Sequence, residues 1–130
     1  MSLQYIISIL QEVSMGFKNT MIVFWITLLV SLPLASLLAL IYQTKAKKTQ
    51  ALLSSFIWFI RGSPLMLQLI FAMFGLPVLL GIPFKNRLLI ATVTFIINYT
   101  AYFIATFQNG LALIPQNQWD AAQMLQIPKI

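Results

Sequence analysis

Few side chains in this sequence can do chemistry. Glu12 and Asp120 are its only acids, and it contains neither histidine nor cysteine. That removes thiol nucleophiles, disulfides and the common zinc ligands together. A carboxylate pair for acid–base work would need those two distant acids to meet. No G-x-x-x-x-G-K-[ST] phosphate loop is present, so nucleotide hydrolysis is not expected of this chain. With so few catalytic groups, an intramembrane enzyme is the weakest reading.

Three sets of polar residues remain. Asp120 precedes Ala121 and Ala122 in the polar stretch QNQWDAAQML. Arg61 lies between two apolar runs, in RGSP. Asn98, Tyr102 and Thr106 recur every fourth residue in a third run and share one helical face. Inside an oily run such a stripe faces other protein or a water-filled path, and hydrogen bonding between helices explains it as well.

The elements that hold these residues are apolar. The chain has 130 residues, 60% of them hydrophobic and 8% charged, and its mean hydropathy is +0.90. A soluble domain carries about 25% charge. The composition therefore predicts an all-α, polytopic membrane protein. The net charge of +6 does not point to nucleic acid, because the basic residues are scattered at the ends of apolar runs, where they act as topology signals. The first residues lack a basic n-region and a small-residue cleavage site, so no cleavable signal peptide is expected.

Three spans are predicted. Residues 20–42 carry no charge and are long enough to cross the hydrocarbon core with some tilt. Pro33 lies inside this span, and Ser31, Ala35 and Ala39 form a small-residue stripe suited to close helix contact, unless their spacing is chance. Residues 43–50, QTKAKKTQ, read as a short basic loop, cytoplasmic by the positive-inside rule. Residues 51–75 read as a second span kinked at Pro64, with Arg61 inside the membrane and an end at Gly75 and Pro77. The alternative starts a helix at Ser63–Pro64 and must carry it through those two breakers. Residues 88–107 form the third span. Residues 11–19 read as an amphipathic lead-in at the membrane surface. Lys18, Lys85 and Arg87 oppose Lys45, Lys47, Lys48 and Lys129, a weak bias. The polar segment 109–130 then falls in the cytoplasm. In it Asn117 and Asp120 resemble a capping pair, and Pro128 is expected to end a short helix. An acid beside a low alanine face suits docking of another protein. An ordinary interhelical loop accounts for the spacing as well.

Four stretches, in order, resemble one family. MGFKNTMIV is similar to a Gly-x-x-x-Thr entry to a first core span. FIRGSPLMLQLIFAMFGLP is similar to an Arg-Gly-Thr-Pro-Leu block followed by Phe-Gly-Leu-Pro. NYTAYFIATFQNGLALIP is similar to a Tyr-rich third span, and IPQNQWDAAQML to an Ile-Pro-x-Gly-Gln-x-Glu-Ala-Ala run. Over about residues 15 to 127 the chain resembles the membrane-spanning permease subunits of polar-amino-acid ABC importers (histidine, glutamine and arginine type), cut short within the Glu-Ala-Ala loop. There are departures. Asp120 replaces Glu, Asn117 a Gly, and Gln126 the Gly after the coupling helix, while Thr106 and Gln108 stand where an acid and an Arg are frequent.

The resemblance implies the transmembrane core of a type I ABC importer, multi-pass in a bacterial inner membrane, with three spans of the usual set. It implies no cofactor on this chain, ATP and magnesium being held by a partner. The implied partners are cytoplasmic ABC ATPase subunits, a second permease subunit, a periplasmic or lipid-anchored solute-binding protein and membrane lipid, with no nucleic acid. Asp120, Ala121, Ala122 and Leu125 would couple to the ATPase. Arg61, Pro64, Asn98 and Tyr102 would face the translocation path or a subunit interface. For Arg61, capping of helix-end carbonyls is an equal alternative. On the path it would favour neutral or anionic solutes over cations. A truncated, non-transporting anchor or regulatory subunit is the rival reading.

Overall fold

The computed structural model describes residues 3–43, 46–81 and 85–126. Lys45, Pro128 and Lys129, used above for topology and turn signals, lie outside them. All regular structure among the described residues is helical, as expected of an all-α polytopic membrane protein.

Helix α1 runs Leu3–Gln43 without a break. Its 41 residues make about 60 Å, twice the hydrocarbon core. The amphipathic lead-in is therefore not a separate surface helix. Residues 11–19 hold no proline, and the single Gly16 is tolerated, so the span's helix continues through them. Pro33 is tolerated inside it, and the Ser36 hydroxyl donates to the Pro33 carbonyl at 2.8 Å. Helix α2, Lys47–Gly62, begins inside the predicted basic loop. Lys47 and Lys48 open a helix, the end where the dipole opposes cations. The α1–α2 turn is held by Gln50 Nε2 donating to the Tyr42 carbonyl at 3.0 Å and by a Tyr42–Ser54 hydroxyl contact at 3.2 Å.

The second predicted span is a corner. Helix α2 and the Leu65–Leu80 leg meet at 96°. Ser63 is extended (φ −108°, ψ 138°), and so is Pro64 (φ −61°, ψ 133°). A residue before proline is pushed out of the α region. Two consecutive extended residues then turn the chain far more sharply than the removal of one helical hydrogen bond would.

Nor does the leg stop at Gly75 and Pro77. Helix α3, Leu65–Ile70, passes through a π-turn, Phe71–Gly75, into α4, Leu76–Leu80. The Leu76 N–H reaches the Phe71 carbonyl, five residues back. This wider turn is the local unwinding that lets a helix run on past a proline. The Phe71 ring lies over Gly75, where a Cβ would come within 2.6 Å of it. Helix α4 ends at Gly81, left-handed at φ +67°.

Helix α5, Arg87–Ala112, starts at Asn86, whose Oδ1 accepts from the Leu89 N–H at 3.1 Å. It continues five residues past the predicted span, so Asn109 and Gly110 belong to it. Helix α6, Gln116–Met124, follows after three residues. Two helices, α1 and α5, are long and apolar enough to cross a membrane, and three spans result if the bent pair counts as one.

The core is the α1–α5 seam. Thr27, Ser31, Ala35 and Ala39 are buried along α1, and Asn98, Ala101, Ile104 and Ala105 along α5. The small-residue stripe is thus a contact surface. Short side chains let two backbones approach closely where lipid removes the hydrophobic drive between helices. Ala35, Ala39 and Ile104 form its centre, with Phe56 and Ile57 of α2 packed alongside.

Candidate functional site

The polar side chains of the bend form one connected elbow. Breaking α2 at Ser63 leaves its last carbonyls without helical donors. In an apolar setting each must be supplied from elsewhere. Ser63 Oγ donates to the Phe59 carbonyl at 3.1 Å and the Ile60 carbonyl at 3.3 Å. Gln68, one turn into α3, turns its amide back across the corner. Its Nε2 lies 2.9 Å from the Ile60 carbonyl, 3.2 Å from the Ser63 carbonyl and 2.7 Å from Ser63 Oγ. Its Oε1 accepts from Asn98 Nδ2 of α5 at 3.0 Å. One side chain therefore ties the two legs of the corner to each other and to a membrane-crossing helix.

Arg61 sits on the last turn of α2, its guanidinium carbon 5.2 Å from the centre of the Tyr102 ring. The ring face offers a desolvated cation a partner. At this helix end the Phe59 and Ile60 carbonyls receive donors from Ser63 and Gln68. The structure brings Arg61, Pro64, Asn98 and Tyr102 to this one elbow, but not onto one face of α5. Asn98 is buried at 4% exposure, Tyr102 is 43% exposed, and Thr106 points outward with its hydroxyl bonded to the Tyr102 carbonyl. The stripe splits into an inward amide and two outward hydroxyls, and the inward one makes the interhelical hydrogen bond.

Gln68 was not among the sequence candidates. A polar amide alone in LMLQLIFAMF, four residues after a helix-breaking proline, was the available signal.

The second candidate region is α6. Asp120 and Ala121 are exposed and Ala122 half-buried, and Leu125, just beyond the helix, is 74% exposed. No residue of α6 is buried. The expected Asn117–Asp120 capping pair does not form. Pro115 occupies the N-cap without a side-chain bond. Asp120 falls on the second turn, where Gln116 Nε2 donates to its Oδ1 at 3.2 Å. Proline at the cap already fixes φ and leaves Asn117 two residues too late to cap. Past the helix, Gln126 holds φ +53°, the left-handed conformation that glycine takes at little cost. Among the described residues no group of His, Cys, Asp or Glu could hold a metal.

No family model matches the sequence. Two curated relatives, each named as the glutamine transport system permease protein GlnP, align over 104 residues. One, from Rickettsia bellii, is 30% identical, and the other, from Rickettsia prowazekii, 28%. Each alignment covers 80% of this chain and 47% of the relative, so the chain spans about half their length. Among solved structures, one described as a crystal structure of an amino acid ABC transporter with histidines has the same fold. Its TM-score is 0.79 at 21% identity, over 98% of this chain and 60% of that one. The likeness to amino-acid ABC permeases that the four ordered motifs carry is borne out, and the fold matches that of the solved amino acid ABC transporter.

Proposed function

We propose that this chain works as a membrane-spanning permease subunit of an ATP-driven amino-acid importer in a bacterial inner membrane. The observation that carries the proposal is the coincidence of two likenesses over the same residues: glutamine-permease relatives in sequence and an amino-acid ABC transporter in fold. The chain supplies the path and the coupling, while a separate ABC ATPase holds ATP and magnesium.

In this reading α6 is the coupling helix. An exposed acid, a low alanine surface and the exposed Leu125 suit a cleft on another protein. Three residues join α6 to α5, and Asn98 of α5 is bonded to Gln68 of the elbow. A push on α6 travels along a rigid helix into the corner beside Arg61 and Tyr102. Rigid-body rocking of this kind is how packed helices exchange access between two sides. The cation at Arg61 favours neutral or anionic amino acids over cationic ones. A second permease subunit and a solute-binding protein complete the importer.

The test is co-purification from detergent with an ABC ATPase. Asp120→Lys reverses the charge at the docking face and should lower ATPase recovery by about tenfold or more, with membrane insertion unchanged. Equal recovery with parent and variant removes the docking role. Tyr102→Ala should alter uptake and leave assembly intact, and unchanged uptake takes Tyr102 off the path.

A further inference from the structure

Arg61 is a cation held where hydrocarbon is expected. It lies on the last turn of α2, a helix of 16 residues, about 20 Å from the lysines that open that helix. Its neighbour Tyr102 belongs to residues 88–107 of α5, which carry no charge, in a helix long and apolar enough to cross a membrane. The hydrocarbon core is about 30 Å thick. An ionisable side chain set that far inside pairs with an opposite charge or faces a water-filled path.

The chain does not supply the opposite charge. Glu12 and Asp120 are its only acids. Glu12 lies about 45 Å along α1 from the turn into α2, more than twice the distance of Arg61 from that turn. Asp120 lies on α6, bonded to Gln116. Among the described residues the partner of Arg61 is the Tyr102 ring, 5.2 Å from the guanidinium carbon. The N–H fork itself has no acceptor among them, and the side chain is exposed. Such a fork matches a carboxylate, on which it closes two parallel hydrogen bonds.

From this geometry we infer that Arg61 binds the α-carboxylate of the transported amino acid. The inference rests on the permease reading above and adds the point of attachment. The carboxylate is common to every amino acid, whatever its side chain, and it is the anion that such a solute brings to this depth. Lipid phosphates stay with the headgroups, outside the hydrocarbon. The Tyr102 ring holds the guanidinium in place while its N–H edge takes the solute. A neutral or acidic side chain keeps the net charge of the bound solute at or below zero, which a lone cation accepts.

The test is solid-state NMR on proteoliposomes of the assembled importer, with its ATPase and solute-binding protein. Arg61 and Arg87 are the only arginines of the chain, so nitrogen-15 arginine labels two sites. The solute is a mixture of neutral and acidic L-amino acids labelled with carbon-13 at the carboxyl carbon. The guanidinium nitrogens should dephase that carbon from about 4 Å. Arg87→Lys should leave the dephasing intact, and Arg61→Lys should abolish it. Arg61→Lys should also raise the KM for uptake about tenfold at unchanged recovery of the ATPase, since lysine keeps the charge and loses the fork. ATP-driven uptake separates the two readings. No uptake by the parent overturns the permease reading and this inference with it. Uptake without dephasing gives the counter-charge of Arg61 to another subunit and overturns this inference alone. So does dephasing that survives Arg61→Lys.

Discussion

The elbow at Ser63–Gln68 and the short helix α6 are both polar regions on an apolar chain, and they are satisfied in opposite ways. At the elbow the exposed carbonyls of a broken helix find donors within the chain, through Ser63 and Gln68, and Asn98 ties the corner to α5. On α6 nothing is buried, and the one polar side-chain contact is a single-turn Gln116–Asp120 bond on its own surface. The first region carries its own geometry. The second shows no buried side chain that would fix it against the rest of the described chain. On the proposed reading, the first holds a shape in lipid and the second engages another protein.

The sharpest way to break the comparison is Gln68→Leu. It keeps the volume but strips the Ser63 carbonyl and the Asn98 amide of their partners, while the Ile60 carbonyl retains Ser63 Oγ. Two stranded polar groups cost about 2–3 kcal/mol. Unfolding by denaturing detergent in micelles should report that loss, and spin labels on the two legs should show the 96° corner relaxing into a broad distribution. A narrow distribution at parental stability would mean that Ser63 and Pro64 alone set the corner.

Asn98→Leu asks a smaller question. It strands only the Gln68 carbonyl oxygen, and interhelical hydrogen bonds in membranes contribute about 1 kcal/mol or less. The corner should survive with its link to α5 cut. If the two variants cost the same, the bond across helices, not the carbonyl caps, holds the elbow.

These contrasts separate what local sequence dictates from what it does not. Pro64 is legible as a break because a proline constrains itself and its predecessor. The right angle is not, since it depends on an amide four residues later reaching back across the gap. Gly75 and Pro77 read as a stop, yet a π-turn carries the helix past them, and such a turn has no period to detect. The Ser31–Ala35–Ala39 stripe was readable because a contact surface between helices must repeat with the helix. The Asn98–Tyr102–Thr106 stripe shares that spacing and splits, because the neighbours, not the period, decide which residues turn inward. For α6 the acid-alanine pattern suited docking and an ordinary loop equally, and only the family likeness favoured docking, because a helix with no buried residue leaves no internal packing to read.

On α6 the comparison predicts effects of the other sign. Gln126 holds φ +53°, where a side chain costs about 1 kcal/mol that glycine avoids. Gln126→Gly should therefore steady the end of α6 and slow its amide exchange by about fivefold, with the elbow amides unchanged. Faster exchange would mean that the glutamine side chain makes a contact glycine cannot replace.

The smallest effect belongs to Asp120→Asn. The side chain is exposed, its single partner is Gln116 one turn earlier, and asparagine preserves an acceptor for that bond. Exposed substitutions away from caps and buried networks stay within about 0.5 kcal/mol, so unfolding of the isolated chain should be unchanged within error. The useful outcome is the size of this number beside that for Gln68→Leu. A loss at Asp120 approaching 2 kcal/mol would require a buried partner for its carboxylate, and α6 would then be part of the packed structure like the elbow. A null result combined with lost recovery of an ATPase would place the energy of Asp120 wholly in a contact with another protein.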